Sequence, residues 1–149
     1  TIDTAPVLLC LDERMTRTHL MVKIPSRTVQ GVHEGLTKLK ERFGDNFNRM
    51  IMSVTADNGS EFARLSQELP EAQIYYAHPY SSYERGTNEN QNGIVRRFFP
   101  KGSSFAHVTD EAIAEVENWI NTMPRRMFNY SCSIDLFSQA TTVPFVIAI

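Results

Sequence analysis

Carboxylates that follow apolar segments are the first residues in this chain whose type and place suit chemistry. Asp57 comes directly after the apolar run Met50-Ile51-Met52-Ser53-Val54, through Thr55 and Ala56. That puts it at the carboxyl edge of a sheet, where α/β proteins hold their ligands. Asp57-Asn58-Gly59 is also a good turn and helix cap, the commoner use of such residues. Glu89 lies in Arg85-Gly86-Thr87-Asn88-Glu89-Asn90-Gln91-Asn92-Gly93, nine positions without an apolar side chain. A first-turn Glu favoured by the helix dipole accounts for Glu89, but not for the three asparagines and one glutamine around it. Asp3, in Thr1-Ile2-Asp3-Thr4, reads by spacing alone as part of a frayed terminus. Three carboxylates from two strands and a helix can hold two divalent cations about 4 Å apart, clamping the attacking and leaving oxygens of a phosphodiester. Such hard oxygen donors select Mg²⁺ or Mn²⁺. His19, His33, His78 and His107 are scattered, and neither they nor the cysteines show zinc-ligand spacing.

The elements that must position these residues follow from periodicity. Val7-Leu8-Leu9-Cys10-Leu11 is a short continuous apolar run, the pattern of a buried strand, and His19–Ile24 is a second strand. Ser26 or Thr28 caps a helix with apolar residues at Val29, Val32, Leu36, Leu39 and Phe43, closed by Gly44. Met50–Val54 is the third strand, and Thr55 to Phe62 runs from its end into a short helix reaching about Leu69. Ile74–Ala77 is another short strand, and 78–86 is a loop rich in Pro, Ser and Gly. Thr87 or Asn88 caps a helix to about Phe99, and Thr109 caps a last long helix to about Met123. Ile113, Val116, Trp119, Ile120 and Met123 share one face of it. The tail from Phe128 to Ile149 is apolar but weakly patterned. Strands first, then strand–helix–strand alternation, imply an α/β fold with a mixed central sheet flanked by helices.

The bulk properties fit one domain over residues 1–149, with 42% hydrophobic and 21% charged residues. Nothing resembles a membrane span or signal peptide, and two cysteines do not make a disulfide framework, so a reduced cytoplasmic setting is expected. The net charge of −2 argues at first against a basic DNA-binding module. By segment it reads differently. Residues 85–101 carry Arg85, Arg96, Arg97 and Lys101 against Glu89, whereas 109–122 carry Asp110, Glu111, Glu115 and Glu117 with no Lys or Arg.

In order, Ile2-Asp3-Thr4, Thr55-Ala56-Asp57-Asn58-Gly59-Ser60-Glu61-Phe62 and His78-Pro79-Tyr80-Ser81-Ser82-Tyr83-Glu84-Arg85-Gly86-Thr87-Asn88-Glu89-Asn90 resemble the catalytic core of DDE transposases and retroviral-type integrases. Arg96-Arg97-Phe98-Phe99-Pro100-Lys101-Gly102 and Asp12-Glu13-Arg14-Met15-Thr16-Arg17 extend the likeness to the insertion-sequence-thirty family of bacterial transposases. The resemblance covers about residues 2 to 127.

It implies an RNase H-like fold with an Asp3–Asp57–Glu89 triad holding two Mg²⁺ or Mn²⁺ ions, and DNA cleavage and strand transfer in transposition. It further implies DNA contacts by Arg85, Asn88, Asn90, Asn92, Arg96, Arg97 and Lys101. The partners implied are transposon ends, target DNA and further copies of the chain in a dimer or higher oligomer, in the bacterial cytoplasm and without a membrane. Family members carry amino-terminal DNA-binding domains not found in this sequence, so an excised core is expected. Asp3 and Val7 are four positions apart where the family has a hairpin, which points to a loop omitted near residues 4–6. An RNase H-type nuclease, or an inactive core used for assembly or DNA binding, are the competing readings. Tyr80 and Tyr83 either stack on bases or pack. Arg125 and Arg126 are a backbone contact or a solvated helix end.

Overall fold

A computed structural model describes residues 4–77, 93–140 and 143–149. Among these, five strands form one mixed sheet: β1 (Val7–Glu13), β2 (His19–Ile24), β3 (Ile51–Ala56), β4 (Gln73–Tyr76) and β5 (Val143–Ala148), in the order β2-β1-β5-β3-β4. β1 runs antiparallel to both its neighbours, and β3 runs parallel to both of its own. The helices are α1 (Val29–Phe43), α2 (Asn46–Met50), α3 (Leu65–Glu68), α4 (93–98), α5 (Asp110–Thr122) and α6 (Ser133–Gln139).

Successive side chains of a strand point to opposite faces, so a sheet covered on both sides is built from continuous apolar runs. β1 is such a strand. Leu9 and Leu11 enter a core with Val32, Leu36 and Leu39 of α1, and with Phe62, Phe137 and Phe145. Leu8 and Cys10 face the other way, toward Val95 of α4 and Ile113, Val116 and Ile120 of α5. α1 lies close to the sheet because Gly35 leaves room. A Cβ there would stand 2.7 Å from Ile24 Cγ2 and from Leu9 Cδ2. Its cap is Thr28, whose Oγ1 accepts the Gly31 N–H at 3.0 Å, and Gly44 ends it with a positive φ of 69°.

The edge strand β2 is closed by side chains instead of by a further strand. Asn121 of α5 accepts the His19 N–H and donates to the His19 carbonyl, both at 2.8 Å, and Glu117 Oε2 accepts the Met21 N–H at 2.8 Å. Glu117 is held in turn by Arg42 at 2.6 Å. Beside its apolar residues, the inner face of α5 thus also buries Glu117 and Asn121. Trp119 is 45% exposed and sits edge-on to the Phe98 ring.

The tail after Phe128 is where the structure adds most. It supplies α6 and then β5, a strand in the middle of the sheet with Phe145, Val146 and Ile147 fully buried. Pro144 has no N–H for a ladder, which normally disqualifies a residue from a central strand. Here it pairs with Ser53 beside an irregularity in register between Ile51 and Ser53, while its carbonyl accepts the Arg14 N–H at 3.1 Å.

Candidate functional site

The strand directions define one functional edge. β3, β4 and β5 are parallel and end together, with Ala56 level with Tyr76 on one side and with Ile147 on the other. β1 is antiparallel to them and begins at that edge, and β2, antiparallel to β1, ends there, with Ile24 opposite Val7. Asp57 is the first residue beyond β3, so it stands at the carboxyl edge as its place in the sequence requires.

Asp57 is half-buried, and its Oδ1 accepts the Gly59 N–H at 2.8 Å. The turn and the edge carboxylate are therefore the same residue. The turn leads into a 3₁₀ segment, Ser60–Phe62, anchored by the fully buried Phe62 ring. Asn58 donates from its amide to the Ala77 carbonyl at 3.2 Å, and the Ala77 N–H donates to Ala56 at 2.7 Å. Tyr76 adds a bond from its hydroxyl to the Phe62 carbonyl at 2.8 Å. The backbone around Asp57 is thus tied to β4 and to the core, which aims the carboxylate.

Asp3, Arg85, Asn88, Glu89, Asn90 and Asn92 lie outside the described residues, as do Tyr80 and Tyr83. The strand beside β3 on the β1 side is β5, bringing Val146, Ile147 and Ala148 and no carboxylate. Over Cys10–Asp12, β1 is paired on both edges, by β2 and by β5. Among the described residues no group of three His, Cys, Asp or Glu side chains could hold a metal ion.

Arg96, Arg97 and Lys101 are exposed, on α4 and just past it. α4 is fixed by Val95, buried against Leu8, Cys10 and Phe105, and by the Phe99–Phe105 ring contact at 5.7 Å. Arg126 is exposed, whereas Arg125 is half-buried. Burial, with Arg17 nearby, holds its pKa below the usual guanidinium value, while the charge of Asp12 opposes that shift. Arg125 thus belongs with the β1–β2 turn and is not a solvated helix end.

Two features were invisible in the sequence. One is the fully buried pair of His19 and Asp12, in which Nδ1 meets the Asp12 carboxylate. Burial alone would lower the imidazole pKa, but Asp12, with Cys10 adding to it, drives it up to about 10. The other is Arg27, a single cation in the turn between β2 and α1 that lines a cavity with Arg96. No periodicity or motif marked either.

No protein-family model matches the chain. Over 137 residues, 92% of its length, it is 37% identical to a probable transposase of the insertion-like sequence element IS1161 of Streptococcus salivarius, spanning 38% of that protein. It is 43% identical over 93 residues, 60% of its length, to the IS4351 transposase of Bacteroides fragilis, spanning 28% of it. It is 27% identical over 135 residues, 89% of its length, to the IS30A transposase of Escherichia coli K12, spanning 34% of it. The chain therefore spans well under half the length of these relatives. Among solved structures, the catalytic core domain of BIV integrase superposes with a TM-score of 0.64 at 13% identity, covering 93% of this chain and 90% of that one. An integrase chain from the simian T-cell lymphotropic virus intasome gives 0.64 at 17%, covering 86% and 47%. The fold is that of the integrase catalytic cores, RNase H-like, and the sequence relatives are insertion-sequence transposases.

Proposed function

From this kinship with insertion-sequence transposases, we propose that the chain is a catalytic core for metal-dependent phosphoryl transfer on DNA, cutting transposon ends and joining them to a target. The observation that carries the reading is Asp57: an oriented, half-buried carboxylate at the carboxyl edge of an integrase-like sheet. Asp3 and Glu89 complete the donor set. Asp3 is four residues ahead of Val7, where β1 starts at the same edge. Glu89 is four positions ahead of Gly93, the first described residue of α4.

Three carboxylates are a hard, all-oxygen set, which suits Mg²⁺ or Mn²⁺ better than the softer zinc. A bound cation pair would lower the pKa of the attacking hydroxyl and stabilise the leaving oxygen. The chain's own residues hold and orient. The Gly59 N–H fixes one oxygen of Asp57, and Asn58 fixes the turn that carries it. Arg96, Arg97 and Lys101 stand on one short segment and suit phosphates of the backbone; Arg85, Asn88, Asn90 and Asn92 extend that segment. Two transposon ends have to be handled together, which calls for a dimer or larger assembly of such chains, in a bacterial cytoplasm. No described helix is long and apolar enough to cross a membrane.

Calorimetric titration with Mn²⁺ tests the reading on this chain, alongside Asp57→Asn and Glu89→Gln. Binding by the unmodified chain that both variants lose is the expected result. In the full-length protein, Asp57→Asn should slow cutting at terminal repeats by about a hundredfold or more, since a metal supplies several kcal/mol of transition-state stabilisation. Unimpaired cutting would remove Asp57 from the triad, and cleavage confined to RNA–DNA hybrids would favour the nuclease alternative.

A further inference from the structure

A cavity of about 70 Å³ opens between the start of β1, α4 and the end of β5. Its floor is apolar, formed by Leu8, Cys10, Val95 and Phe105, and among the described residues the charged side chains that line it are Arg27 and Arg96. Among the described residues no acidic side chain lines it. The two arginines are 69 positions apart in sequence and come from unrelated elements. Arg27 follows β2 by three residues, at the sheet end that also carries Asp57; Arg96 sits on α4, seven positions beyond Glu89.

Arg96 Nη1 donates to the Phe99 carbonyl at 3.5 Å; two cations lining one cavity repel each other, and the repulsion turns into attraction when an anion lies between them. Guanidinium forks match phosphate oxygens two at a time, which makes a phosphate the anion this geometry recognises best. The floor offers no hydrogen-bonding side chain, among the described residues, suited to reading a base. The charged group must sit at the rim, with the rest of its polymer passing outside. We infer that Arg27 and Arg96 clamp one backbone phosphate of DNA beside the Asp57 edge. The inference rests on the reading of the chain as a core acting on DNA. It adds to that reading a contact from outside the α4 segment, and so a second fixed point that sets the direction of the strand relative to Asp57.

The experiment measures binding of a fluorescent duplex of about 20 base pairs by anisotropy across a salt series. Arg27→Ala should weaken binding about three- to tenfold at moderate salt and reduce the slope of log K against log salt by up to about 0.9, the value for one phosphate contact. Arg27→Lys should recover part of the loss, because the charge returns without the fork. The double variant with Arg96→Ala should lose less than the two single losses combined, because both arginines serve one phosphate. Arg49→Ala is the control: it removes the same charge from an exposed site on α2, at the opposite end of β3, and should change nothing. If Arg27→Ala behaves like Arg49→Ala while the unmodified chain binds DNA, the clamp is overturned and Arg27 is merely a neighbour of the Ile149 end of β5. Full additivity would place the arginines on separate phosphates and overturn the shared site. If the unmodified chain binds no DNA at any salt, the DNA reading itself fails, and the clamp with it.

Discussion

His19 shows how much a single buried residue can bind into a fold without touching the candidate site. It stands opposite Asp12 at the β1–β2 end remote from Asp57, and its ring, held by the Asp12 carboxylate, keeps its proton up to about pH 10. In the unfolded chain the same ring titrates near pH 6.5. A folded pKa raised above the unfolded one contributes stability that is complete below about pH 6.5 and lost as the pH climbs through about 10. Denaturation midpoints of the native protein should therefore fall across that window, with a slope approaching about 1.4 kcal/mol per pH unit. His19→Gln should lower stability at neutral pH and flatten the decline, as urea titrations at stepped pH would show. Asp57 is the contrasting case. Its place after an apolar strand made it legible in sequence, and its turn-forming bond to Gly59 does not compete with the edge position but aims the carboxylate. Arg27 had no such signal, because an isolated cation in a turn acquires meaning only from what folds against it.

At the scale of elements, α5 serves two purposes. Its apolar residues pack under β1 and β2, while Glu117 and Asn121 satisfy the outer backbone edge of β2, an edge that would otherwise invite pairing with another chain. Asn121→Leu keeps the volume but leaves the His19 N–H and carbonyl without partners. It should cost about 2–4 kcal/mol, from unpaired buried backbone groups, and should raise the tendency to aggregate, measurable by denaturant midpoint and light scattering. The acidity of α5 is also less than its sequence suggests. Glu117 is buried and paired with Arg42, which leaves Asp110, Glu111 and Glu115 as the solvated charges. β5 is the element the periodicity missed. Pro144 interrupts its pattern, and a strand covered on both faces shows no alternation to read. Only the irregular register opposite Ile51 and Ser53 makes the proline tolerable.

For the whole molecule, β5 joins the antiparallel half of the sheet to the parallel half, and Phe145 meets the Phe137 ring at 6.3 Å inside the larger core. Phe145→Ala should cost about 3–5 kcal/mol, seen as a lower midpoint in a single cooperative transition; a small loss confined to local fraying would deny β5 that joining role. The overall charge of −2 conceals a division in space. Arg27, Arg96, Arg97 and Lys101 are exposed around the edge and α4, while the acidic residues of α5 lie on another helix. Sequence alone determined what is local: β1, β2, α1 and α5 from their periodicity and caps, the edge position of Asp57 from the strand before it, and the transposase kinship from the spacing of its motifs. Tertiary structure decided what is non-local: that the tail fills the centre of the sheet, that two polar residues of α5 close the β2 edge, that His19 is buried against Asp12, and that Arg27 and Arg96 line one cavity. The physical reason is that helix and strand signals arise from neighbours within a few residues. Register, burial of charge and the lining of a shared cavity depend on segments tens of residues apart, which are brought together only by packing.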